Sequence, residues 1–223
     1  MIGEAGRADA GAFVSRLVRL DPSAVVRLRP APGSSSAEMW AMLPFGVLVV
    51  RTLSGPVDGD VTVEATALLA ELAAGRAVAG SPRRRDADWR WALPPSHGRV
   101  VETIPAAEVG RVAAAASTTL RAAVEGGVGG RPVGERALRD ALLDHVPIVV
   151  TGQDGERVDV SQRLVQAVVR MGFLGSTSGE ESVAVRIAGP WIGLAASYGS
   201  AWYRRNSPMQ ITRGVDVEAG PFR

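Results

Sequence analysis

From Met39 to Leu53 the chain reads MWAMLPFGVLVVRTL, its longest apolar stretch, and no charge falls between Met39 and Val50. A run well short of the roughly 18 to 20 residues that a membrane span needs is read as buried core. Pro44 and Gly46 interrupt it at turn spacing, and Val47, Val49 and Val50 favour a pleated backbone. The pattern therefore predicts a hairpin of two central strands, residues 38–43 and 46–53, covered on both faces by neighbouring segments.

The remaining pattern predicts helices and hairpins around that centre. A helix over 9–20 is capped by Asp9, carries Phe13, Leu17 and Leu20 at helical spacing, and is stopped by Asp21-Pro22. A strand over 24–29 puts Arg27 and Arg29 on one face, and a turn-rich loop over 30–36 leads to the hairpin. A short strand over 61–63 runs into a helix over 64–74, striped by Leu68, Leu69 and Leu72 and ended by Gly75. WRWAL, residues 89–93, alternates as a half-buried strand does, and Pro94-Pro95 closes it.

Further on, Pro105 suits the first turn of a long alanine-rich helix over 106–124, which GGVGG breaks. A helix over 135–145 is followed by a hairpin, 147–150 with 157–160, turned by Asp154-Gly155. Residues 161–171 form the clearest amphipathic helix, with Leu164, Val168 and Met171 in a stripe widened by Val165 and Val169. A last hairpin pairs 183–188 with 191–196 around Gly189-Pro190. No internal repeat or heptad array is apparent.

These elements predict an α+β fold of mixed helices and antiparallel hairpins. Residues 1–94 form a half built on the buried hairpin, 95–204 a more helical half ending in a hairpin, and 205–223 a mobile tail. At 223 residues and 46% hydrophobic, the chain can bury one large core or two small ones.

Charge alters this picture little and chemistry excludes much. The pI is about 9.8 while the formal net charge is only +2. All 25 basic residues are arginine, which stays protonated far above neutrality and inflates the pI. Arginine without lysine, with abundant alanine, glycine and valine and one asparagine, Asn206, reflects the coding bias of a GC-rich bacterial genome. Without lysine there is no Walker loop and no lysine Schiff base. Without cysteine there are no disulfides, thiolate nucleophiles or cysteine-held metals. The amino-terminal residues lack an apolar signal region, so the expected location is cytoplasmic and no membrane is expected as a partner.

The sequence carries no recognisable catalytic pattern. Arg83-Arg84-Arg85 is offset by Asp86 and Asp88. His97 lies in a loop without a local partner, and Asp144-His145 closes a helix, where the macrodipole alone favours a histidine. Residues 175–179, GSTSG, centre a threonine where a nucleophile elbow needs serine. Asp154, Glu156 and Asp159 lack calcium-loop spacing. The sequence thus predicts no catalytic residue, cofactor or metal, and a function in binding. The leading expectation is a protein-interaction or self-assembly module, a homo-oligomer contacting its partner through Trp191, Tyr198, Trp202 and Tyr203, because Trp and Tyr dominate binding hot spots.

The alternative expectation is a nucleic-acid-binding regulator. Helix 161–171 followed by a hairpin resembles, in element order, the winged-helix proteins. That resemblance implies a recognition helix presenting Arg163, Gln166 and Arg170 to base edges and phosphates.

Overall fold

The computed structural model describes residues 4–75, 83–95, 98–127, 134–175 and 181–205. Ten strands and five α-helices follow in the order α1 (Glu4–Leu20), β1 (Val25–Pro30), β2 (Ala37–Met42), β3 (Leu48–Leu53), β4 (Val61–Glu64), α2 (Ala65–Ala73), β5 (Arg99–Pro105), α3 (Ala106–Gly126), α4 (Glu135–Asp144), β6 (Ile148–Thr151), β7 (Arg157–Val160), α5 (Gln162–Arg170), β8 (Ser182–Ala188), β9 (Trp191–Ala196) and β10 (Gly199–Arg204). The fold is α+β, as the sequence pattern predicts.

The expected central hairpin is β2–β3. Its turn closes through Leu43 N–H to Val47 O and Gly46 N–H to Leu43 O, both 2.9 Å. Gly46 takes φ +78°, the left-handed conformation that favours glycine there. Around the hairpin lies one antiparallel sheet of eight strands, ordered β4-β1-β2-β3-β10-β9-β8-β5, and β6–β7 forms a separate hairpin. The sheet order is symmetric. The meander β1–β2–β3, preceded by α1, faces the meander β8–β9–β10, preceded by α5; β4 running into α2 mirrors β5 running into α3. The two halves join where β3 pairs with β10, Val49 opposite Ala201 and Leu48 opposite Trp202.

Strand alternation sends the two sets of side chains to opposite faces. Val26, Leu28, Met39, Ala41, Val49, Val183, Val185 and Leu194 join Phe13, Leu17, Leu68, Val165, Val168 and Phe173 in one core beneath the helices. On the other face Trp40, Leu48, Ala188, Trp191 and Trp202 make a smaller cluster, with Trp89 and Leu93 packed against it.

Several expectations are corrected. Residues 89–93 form no strand: the segment pairs with no strand of the sheet. It has to be extended, because β4 and β5 lie on opposite edges of the sheet and the chain between them crosses the outer face. Seven inter-strand steps of roughly 4.8 Å span about 34 Å, and the residues from Arg85 to Arg99 reach only about 46 to 50 Å when fully stretched. Pro94-Pro95 suits such a strap. A strand at β5 and a third strand at β10, neither expected from the sequence pattern, complete the sheet, and α1 begins at Glu4, ahead of the expected cap Asp9. The expected order of helix then hairpin holds in α5, β8 and β9, but that hairpin belongs to the eight-stranded sheet, so the region is not a winged helix. Residues 206–223 lie outside the described residues. No described helix is long and apolar enough to cross a membrane.

Candidate functional site

At one end of the sheet, the start of β1, the β2–β3 turn, the start of β9 and the end of β10 come together beside the strap. They enclose an open groove of about 710 Å³. Met42, Leu43 and Pro44 come from the hairpin turn, Trp191 and Tyr203 from β9 and β10, and Arg90, Trp91 and Ala92 from the strap. Trp91 is a third exposed, unusual for so large an apolar ring. Charge is confined to the groove lining's Asp21, Arg85, Asp88, Arg90 and Arg204. Arg85 is spent on Asp88, with Glu64 at 3.9 Å. Arg90 and Arg204 have no acidic partner among the described residues.

The strap is fastened at the β4 edge. Arg84 bridges to Val63, Arg85 N–H donates to Thr62 O at 2.7 Å, and Thr62 N–H donates to Asp86 Oδ1 at 2.7 Å. The Thr62 amide first, then the Arg84 guanidinium, hold the Asp86 carboxyl below the usual aspartate range. A carboxyl depressed in the folded state contributes stability above its ordinary value, about 3.9, and loses it as pH falls through the folded value. The anchor should therefore hold at neutral pH and release only in acid. In an NMR titration the Thr62 amide resonance is expected to shift with a midpoint below about pH 3.9 and to stay still in Asp86→Asn. A midpoint at or above the ordinary value would remove the anchor.

The four aromatic residues predicted as one contact surface are divided by the fold. Trp191 and Tyr203 line the groove. Trp202 is 7% exposed beneath the strap. Tyr198 sits at the opposite end of β9–β10, with the Arg51 guanidinium 5.3 Å from its ring centroid and its carbonyl accepting from Arg51 NH1 at 2.6 Å.

The residues of the alternative reading do not share an exposed helix face. Arg163 donates to Asp144 Oδ1 at 2.8 Å and to Phe45 O at 2.8 Å. Gln166 is buried, its amide reaching Ala113 O of α3 at 3.4 Å. The reason is that α5 packs between the sheet and α3, so the face opposite its apolar stripe is also covered. Arg170 is exposed, its pKa lowered by partial burial and by Arg139. Among the histidine and acid pairs, Asp144 serves Arg163, His145 is exposed, and His97 lies outside the described residues. No described group of three or more His, Asp or Glu side chains is placed to hold a metal.

A family described as a domain of unknown function (DUF8185) matches residues 93–208, more than half of the chain. The chain belongs to this family. A second description, a domain of unknown function (DUF8010), matches residues 1–91, so the DUF8185 stretch begins within the strap. No curated protein matches. Among solved structures, a candidate DNA polymerase III beta subunit from Eubacterium rectale has a TM-score of 0.57 at 10% identity, covering 95% of this chain and 65% of its own. The DNA polymerase sliding clamp of Pseudomonas aeruginosa, solved with a ligand, has a TM-score of 0.53 at 12% identity over 94% of this chain and 67% of its own. The DNA polymerase beta subunit of Streptococcus pyogenes has a TM-score of 0.52 at 11% identity, over 91% of this chain and 64% of its own. The DUF8185 chain therefore has a sliding-clamp-like fold and spans about two thirds of the length of those proteins.

Proposed function

We propose that this protein is an interaction module that holds an extended segment of a partner protein in the groove and binds it without transforming it. The groove carries the reading: an apolar lining of Met42, Leu43, Trp91 and Trp191 beside two guanidiniums, Arg90 and Arg204, without an acidic partner among the described residues. Aromatic and arginine residues of this kind are the usual anchors of binding hot spots. The strap supports it as well, since Arg90, Trp91 and Ala92 donate no backbone hydrogen bond to the sheet and can pair with an extended guest. The partner segment then carries an apolar anchor and acidic neighbours. The solved structures of like fold are named as DNA polymerase subunits and sliding clamps, so a polymerase is the first partner class to test.

Nucleic acid fits less well. Arginines on α1, α3 and α4 are accompanied by about as many acids, so the helical face lacks the basic excess that phosphate neutralisation requires.

The test is fluorescence anisotropy with extended peptides selected on the purified chain, with a random DNA duplex as control. The double variant Arg90→Glu/Arg204→Glu should bind the selected peptides about tenfold more weakly, two exposed charge pairs being lost. Unchanged peptide binding, or tighter binding of the duplex, would overturn the reading. Light scattering on the same samples identifies a second copy as the occupant: a mass above 23.3 kDa that falls in the double variant.

A further inference from the structure

Residues 90–92 form the strap wall of the groove, yet backbone hydrogen bonds cannot be what places them. The last such bond before them is Trp89 N–H to Asp86 O at 3.2 Å. We infer that Arg27 and Asp60 are positioning residues for the groove: their ion pair fixes the Trp89 ring, and Trp89 fixes Trp91. The consequence for binding rests on the groove reading above; the positioning does not.

Arg27 lies on the outer face of β1. Its Nε donates to Asp60 Oδ1 at 2.8 Å and its NH2 to Asp60 Oδ2 at 2.7 Å. A two-point pair of this kind fixes the plane of the guanidinium as well as its position. The guanidinium carbon then stands 5.5 Å from the centroid of the Trp89 ring, a cation–π distance. From the other side Trp89 acts on its neighbour twice: its Nε1–H donates to Trp91 O at 2.7 Å, and the two rings meet edge to face, 5.2 Å between centroids and 85° between planes. Asp86 anchors the start of the strap and Leu93 packs its far end. Between them, the contacts from Trp89 are the polar and ring contacts that orient Trp91 among the described residues. Asp60, in the loop before β4, thus acts on the groove through Arg27 and two indoles without touching it.

The experiment uses the full chain with Arg27→Ala, Arg27→Lys and Asp60→Asn. Two indoles in edge contact give a coupled circular-dichroism band, a readout that bulk stability does not move. Groove affinity is followed with anilinonaphthalene sulfonate, an apolar anion, and Met42→Glu serves as the groove control. Arg27→Ala and Asp60→Asn are expected to collapse the coupled band and to weaken the probe about two- to fivefold, the worth of one exposed cation–π contact. Arg27→Lys should restore part of both. If Arg27→Ala fails to fold, Asp60→Asn in its exposed loop decides. An unchanged band in Asp60→Asn overturns the inference whatever the probe does. A band that collapses while Met42→Glu leaves the probe unaffected supports the positioning role and removes the groove reading instead.

Discussion

Phe173→Ala is expected to cost about 3 to 5 kcal/mol, the range for removing a large buried aromatic side chain. Phe173 is 1% exposed and stacks on Phe13, with centroids 6.3 Å apart and planes within 13°. A Cβ on Gly199 would stand 2.7 Å from its ring, so the pocket is already closed around it and has little room to collapse. Phe13 comes from α1 and Phe173 from the turn after α5, so the ring pair ties the two halves of the chain together. A loss of that size is a large fraction of the 5 to 15 kcal/mol typical of a folded domain, as an order of magnitude. In urea the midpoint should fall with the slope unchanged, in one transition. A loss below about 1 kcal/mol, or two separate transitions, would mean that the halves do not depend on this contact.

The elements most legible in the sequence were those whose signal is local. The β2–β3 hairpin was readable because an uncharged run with a Pro and a Gly at turn spacing has few other uses. Helix α5 was readable because Leu164, Val165, Val168 and Met171 fall on one stripe. What could not be read is pairing at a distance. β10 contains Gly199, Ser200 and Ala201, which look like turn residues until Ala201 is set opposite Val49 of β3. β5 is an edge strand with a bulge between Val100 and Glu102, which breaks its alternation. The symmetry of the sheet leaves no repeat in the sequence because it resides in strand order, and the second half carries α4, β6 and β7 between its two matching parts.

The groove was hidden for a related reason. WRWAL alternates as a half-buried strand does, and its apolar members Trp89, Trp91 and Leu93 do meet other rings and side chains. They meet them from above the sheet, as a strap, not within it. Met42 and Leu43 read as the end of a strand, Pro44 as a turn and Arg204 as the residue before a tail, and only the fold brings them beside Trp91. Aromatic enrichment marks interfaces and small cores alike: of the predicted contact residues, Trp191 and Tyr203 line the groove, while Trp191 also packs with Trp202 in the outer cluster. Trp202 does not line the groove and is 7% exposed, and its expected role in the small core is open to direct test.

Trp202→Ala is expected to destabilise the protein by about 3 to 5 kcal/mol and to free the far part of the strap. The ring lies on the outer face of β10 against Trp40, Leu48, Ala188 and Trp191. A Cβ on Gly193 would stand 2.5 Å from its Cε3, and one on Gly98 would stand 3.1 Å from its Cη2, so the ring fills the space between the sheet and the returning strap. Removing it takes away a large part of the cluster against which Leu93 packs, and residues 90–92 donate no backbone hydrogen bond to the sheet to compensate. Gly193→Val reaches the same end by a different route, since it displaces the ring without deleting it; overpacking of that kind costs roughly 1 to 3 kcal/mol. Both variants should speed tryptic cleavage after Arg90, in the strap, by more than their global destabilisation explains, which a digestion time course followed by mass spectrometry resolves. If Trp202→Ala instead costs less than about 1 kcal/mol and abolishes peptide binding, Trp202 acts as a contact residue and the strap moves aside to expose it.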